Sequence, residues 1–130
     1  DAVRAAFAKA QQAHEAKAKE AYAFVDGSFA DLLGRRFGVG WGNRLERQML
    51  DFVPVVIAAG GTVGEAVDHI LATKLLRKVR DRHDTRPEDL TALSERIAEA
   101  WPKLDKTTGA VRSMAIVRDE LRRLGAEEEA

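Results

Sequence analysis

Arg44 stands in the run Trp41-Gly42-Asn43-Arg44-Leu45-Glu46-Arg47, where a glycine break gives way to a helical pattern. A guanidinium in the first turn of a helix adds its charge to a pole that already favours anions. Its planar fork of N–H groups matches phosphate oxygens. Such an arginine suits a phosphate carried by another domain; the plainer alternative is a surface arginine paired with Glu46, Glu20 or Asp51. A second concentration of charge lies further on. Lys74, Arg77, Lys78, Arg80, Arg82 and Arg86 crowd the end of one helix, with only Asp81 and Asp84 among them. Cations there complement the helix dipole at roughly 0.3–1 kcal/mol each. The i, i+3, i+4 spacing of Lys74, Arg77 and Lys78 also suits contact with phosphates or an acidic neighbouring protein. No aromatic residue interrupts this basic stretch, which counts against a reader of single-stranded bases.

No other constellation completes a catalytic site. Gly60-Gly61-Thr62-Val63-Gly64 has the glycines of a phosphate-binding loop, but Glu65 stands where G-x-x-x-x-G-K-[ST] requires a cation. The run also follows a helix rather than a strand, so it reads as a helix-to-helix turn. His14, His69 and His83 are scattered, and His14-Glu15 does not extend to H-E-x-x-H, since position 18 is alanine. Metal ligation needs convergent ligands that this spacing does not supply. Ser28, Ser94 and Ser113 have no histidine at suggestive spacing for nucleophilic catalysis. With no cysteine, disulfides, thiolate nucleophiles and cysteine–zinc sites are excluded. On its own the chain is therefore read as no enzyme, with no metal and no cofactor.

Lysine plus arginine equal aspartate plus glutamate at 21 each, so the formal net charge of zero argues against a wholesale nucleic-acid coat or a polyanion mimic while leaving room for local basic patches. The 130 residues fit one domain, or one domain and an extra helix. The longest apolar run, Phe52 to Ala59, is short and holds Pro54, so no membrane span is expected. The first residues lack the apolar segment of a signal peptide, and a reducing cytoplasm suits the composition. A start at Asp1, already inside a helical pattern, points to a piece of a longer protein, although maturation gives the same start.

The elements that must position these residues read as helices throughout. Residues 2 to 25 are rich in helix formers, with a thin apolar stripe of Val3, Phe7, Ala10, Ala13 and Ala18. This segment is either an exposed connecting helix or a coiled-coil arm. Asp26-Gly27-Ser28 reads as a break, with Ser28 and Asp31 opening a helix through Phe29, Leu32, Leu33 and Phe37. After the glycines at 38, 40 and 42, Asn43 is the expected cap of a helix through Leu45, Met49, Phe52, Val53, Val56 and Ile57. Pro54 should kink or divide that helix. Thr62 to Glu65 is a capping box opening a helix whose buried stripe is Val67, Ile70, Leu71, Leu75 and Val79. Thr85-Arg86-Pro87-Glu88 reads as another, before Leu90, Leu93, Ile97 and Trp101, with Pro102 at the exit. The last helix runs from about Gly109 through Val111, Met114, Val117, Leu121 and Leu124. The expectation is an all-α bundle of about five to six helices: a connecting helix at 1–27, a bundle at 28–125 and a disordered acidic tail at 126–130.

Three stretches, Gly42 to Val55, Ala59 to His69 and Ala72 to Lys78, together resemble the C-terminal helical lid of AAA+ ATPases, nearest to the methylcytosine-directed restriction (McrB-like) and MoxR-like group. Ser113 to Leu124 is similar to the closing helix of those lids. The similarity covers about residues 37 to 125 and leaves residues 1 to 30 out. It implies a lid and oligomerisation domain that closes over ATP and magnesium held by a separate core domain, within a ring of subunits. A glycine-x-arginine at the start of a lid helix supplies the second sensor, a role that falls on Arg44, with Arg47 the less secure candidate. The basic helix would meet a neighbouring subunit or DNA. The phosphate loop, the magnesium-binding acidic strand and the first sensor of that family are absent. The alternative is a stand-alone nucleic-acid- or protein-binding module that works through the basic surface from Lys74 to Arg86.

Overall fold

In the computed structural model, which describes residues 1–82 and 84–125, every regular element among those residues is helical. The chain forms α1 (Ala2–Phe37), α2 (Asn43–Ala58), α3 (Val63–Ile70), a π-helical turn (Leu71–Leu75), α4 (Leu76–Arg80), α5 (Pro87–Leu104) and α6 (Val111–Arg123). The all-α bundle expected from the sequence is what forms. The tail expected to be disordered, 126–130, and His83 lie outside the described residues.

The break expected at Asp26-Gly27-Ser28 does not occur: α1 runs through it. Ala18, Ala21, Val25, Phe29, Leu32 and Leu33 keep one helical face buried across the position. Burying each large side chain is worth about 1.5–3 kcal/mol, against about 0.5–1 kcal/mol for a mid-helix glycine, so tertiary packing overrides the local signal. The irregularity falls instead at His14, whose backbone leaves the helical region (φ −123°, ψ 19°). Before it, Val3 and Phe7 stay exposed; beyond it, Ala18 onward belongs to the core. Gln11 reaches across to the Asp51 carboxylate of α2 at 2.7 Å.

Pro54 sits inside α2 without dividing it, and Pro102 sits inside α5, which continues to Leu104. Gly42, not Asn43, takes the cap position of α2. At α5, Arg86 takes the cap position with no side-chain capping hydrogen bond, Thr85 Oγ1 is buried without a partner among the described residues, and Glu88 pairs with Arg86 at 3.1 Å. The Thr62–Glu65 box forms in both directions.

Two carboxylates join the far ends of helices. Asp105, just past α5, accepts from the Gly64 amide in the first turn of α3 at 2.9 Å, and its other oxygen takes the Thr107 and Thr108 amides and the Thr107 hydroxyl. Asp68, buried in α3, accepts from the amides of Arg112 and Ser113 at the start of α6, at 2.9 and 2.8 Å. Each places negative charge on a helix's positive pole. This cap turns α6 so that Ser113, Val117 and Glu120 face inward; Val111, expected in the buried stripe, is 72% exposed instead. Phe24 meets Phe29 and Trp101 edge-on at 5.8 and 5.6 Å, which ties α1 to α5.

The rod from Val63 to Arg80 carries a register problem. Val67, Leu71, Leu75 and Val79 are all buried at four-residue spacing. An α-helix turns every 3.6 residues, so this spacing drifts by about 40° per step and about 120° from Val67 to Val79. An unbroken α-helix would bring Lys74 and Lys78 toward the core instead. The π turn, closed by the Leu76 amide on the Leu71 carbonyl, takes up one extra residue and returns Leu75, Leu76 and Val79 inward. Thr73 donates its hydroxyl to the His69 carbonyl at 2.7 Å within this wide turn.

Two glycine substitutions are expected to act with opposite sign. A Cβ on Gly27 meets nothing within 4 Å, so Gly27→Ala should stabilise by about 0.5–1 kcal/mol. A Cβ on Gly64 would lie 2.7 Å from an Asp105 oxygen, so Gly64→Ala should destabilise by about 1 kcal/mol or more. Urea unfolding of both variants checks this; equal signs would contradict the packing described. Acid provides a further test. Burial raises the Asp105 pKa, but hydrogen bonds led by those from the Thr107 hydroxyl and amide and the Gly64 amide outweigh it, and the value falls from 3.8 to about 2. The stability this carboxylate contributes is whole above its ordinary pKa and lost as pH falls toward about 2. Asp105→Asn should flatten the pH dependence of unfolding between those limits.

Candidate functional site: a cationic groove between α2 and α4

An open groove of about 610 Å³ lies between the start of α2 and the rod that carries α4. One wall comes from the loop before α2 and its first turns, with Gly40, Trp41, Gly42, Arg44, Leu45 and Gln48. The other comes from the π turn and α4, with Thr73, Lys74, Leu75, Arg77, Lys78 and Asp81. The two basic features of the sequence, some thirty residues apart, therefore converge on one surface. Four cations face a single carboxylate in a chain whose formal net charge is zero.

Each wall is set by a local cause. α1 ends at Gly38 in the left-handed conformation (φ 65°), with the Gly38 and Val39 amides on the Gly34 and Leu33 carbonyls. The Arg82 guanidinium lies so close that a Cβ on Gly38 would be 2.9 Å from its Nη1. The chain then reverses through Val39, which is buried, and enters α2 at Gly42 in extended conformation. No side chain caps this end of α2, which leaves first-turn amides open beside Arg44. The facing wall owes its outward cations to the π turn.

Arg44, Lys74, Arg77 and Lys78 are all exposed, and none has an ion pair or side-chain hydrogen bond among the described residues. The plain alternative for Arg44 does not form: Asp51 takes Gln11, and Glu20 takes Lys17 at 3.8 Å. Unpaired cations on one concave surface repel one another and raise the local potential for an anion. Phosphate and polyphosphate are among the anions whose charge such a surface would complement.

The remaining sequence candidates lie elsewhere. Arg47 is exposed and outside the groove lining, as is Arg80. Arg82 is half-buried and bidentate on Asp84 at 3.1 Å. Arg86 is held by Glu88 and, at 3.6 Å, by Asp89, which also takes Arg36 at 2.8 Å. Arg82 and Arg86 thus act as clasps. Trp41, half-buried, is the groove residue that the basic stretch alone did not reveal: it adjoins Arg44 in sequence but reaches the Lys74 side only through the fold. His69 stacks on Phe52 with centroids 5.0 Å apart, and its Nδ1 lies 3.1 Å from Arg112. No helix among the described residues is long and apolar enough to cross a membrane.

No family pattern, curated protein or solved structure matches the chain. The site's chemistry therefore rests on its own geometry. Because the groove cations hold no partner in the fold, Lys74→Ala and Arg77→Ala should each change unfolding free energy by no more than about 0.5 kcal/mol. A loss of about 2 kcal/mol in denaturant unfolding would mean that these side chains hold the fold together.

Proposed function

We propose that the chain is a non-catalytic helical lid of an AAA+ type ATPase that presents Arg44 to the phosphates of ATP held, with magnesium, by a separate core domain. The observation that carries this reading is the unpaired, exposed Arg44 guanidinium at the uncapped start of α2, in a groove with Lys74, Arg77 and Lys78. An arginine whose role was structural would be expected to hold a carboxylate, as Arg36, Arg82 and Arg86 do.

The chemistry required of Arg44 is electrostatic. Its permanent charge and forked donors suit phosphate oxygens, and charge on a phosphoryl group is what such enzymes must stabilise. In this reading no described residue is assigned to activating water, and turnover depends on the core. Arg47 and Arg80, exposed and outside the groove, remain for contact with that core or with neighbouring subunits of a ring. The cytoplasm is the matching compartment.

In the polypeptide that joins this chain to its ATP-binding core, Arg44→Ala should lower ATP turnover by about tenfold or more. Arg44→Lys should recover little of it, because an ammonium lacks the fork. The melting temperature of the chain should not move. Turnover equal to that of the unaltered protein would remove the sensor role.

A further inference from the structure

The geometry points to a second use of the same groove: we propose that it binds single-stranded nucleic acid, with the Trp41 indole stacked on a base and Lys74, Arg77 and Lys78 along the phosphates. The inference does not rest on the lid reading, since it needs no other domain. A lone phosphate would be served by one corner of the groove. Here three cations follow one another along the π turn and α4, while a tryptophan lines the wall that faces them. A row of charge beside an aromatic face is the combination that holds a strand whose bases are unpaired. Duplex bases are already stacked on one another and offer Trp41 no free face. The groove is open to solvent, as a passing strand requires, and Arg44 and the open amides of α2 stand beside Trp41 as further phosphate donors.

The chain provides its own reporter. It has two tryptophans, and Trp101 is buried with its Nε1 on the Thr108 carbonyl at 2.9 Å, so quenching by a bound strand reads Trp41. The probe is an oligothymidylate of about a dozen nucleotides, within the span of known single-strand sites. It should quench the tryptophan emission and bind with a log–log salt slope of about −3, as four neutralised phosphates on a single strand give. Arg77→Glu combined with Lys78→Glu should abolish binding. Read by the fluorescence anisotropy of an end-labelled oligothymidylate, because these variants lack the reporting indole, Trp41→Ala should weaken binding about tenfold, while Trp41→Phe, which keeps a flat ring and the packing, should retain most of it.

The proposal is overturned if the oligonucleotide fails to bind at low salt. It is also overturned if Trp41→Ala binds as tightly as the unaltered chain, or if duplex DNA or polyglutamate binds equally well. None of these results bears on ATP turnover, so failure here is distinguishable from failure of the lid reading.

Discussion

The groove depends on a mismatch between sequence period and helix geometry. Val67, Leu71, Leu75 and Val79 must all be buried, yet they recur every four residues, and an α-helix cannot keep that spacing on one face. The π turn at Leu71–Leu75 resolves the mismatch by absorbing one residue. The same adjustment turns Lys74, Arg77 and Lys78 outward against the start of α2. Core packing and site geometry are thus one constraint: the apolar residues set the register, and the cations occupy what that register leaves.

Around this rod, charge is used in two distinct ways. Outside the groove, Asp68 and Asp105 are consumed by structure, each accepting amides at the start of another helix. Arg36, Arg82, Arg86 and Arg123 are likewise engaged, with Asp89, Asp84, Glu88 and Glu120. At the groove, Arg44, Lys74, Arg77 and Lys78 are left without partners. A chain with equal numbers of acids and bases could have paired these as well. Other cations, such as Arg47, Arg80, Lys103 and Arg118, are also without ion pairs among the described residues, but four of the unpaired ones gather on this one concave surface, and that clustering favours an anionic ligand over a merely solvated face.

Much of the architecture was legible in the sequence because the apolar stripes are strong. The Thr62 box, the glycine punctuation at 38 and 60, and the core positions from Leu90 to Trp101 follow from local chemistry. The misses have a common cause. Gly27 and Pro102 are local breakers that lie inside helices α1 and α5, where buried faces continue past them. Thr85 and Val111 were assigned to a cap and a stripe that tertiary contacts reassigned. At the site, Arg44 and the basic residues were each visible. Their convergence, and the presence of Trp41 beside Lys74, depend on how α2 packs against the rod, which no spacing encodes. The four-residue recurrence did carry a signal of the π turn, as a period too long for an α-helix.

The central claim is that these separate cations form one receptor for phosphate. Heteronuclear NMR of the chain during titration with inorganic tripolyphosphate tests it most directly. The account predicts saturable shifts confined to the Arg44 side chain, the Trp41 indole N–H and the amides from Thr73 to Lys78, with the amides that Asp105 accepts, at Gly64, Thr107 and Thr108, unmoved. Shifts centred on Arg82 and Arg86, or spread over every exposed lysine and arginine, would contradict it.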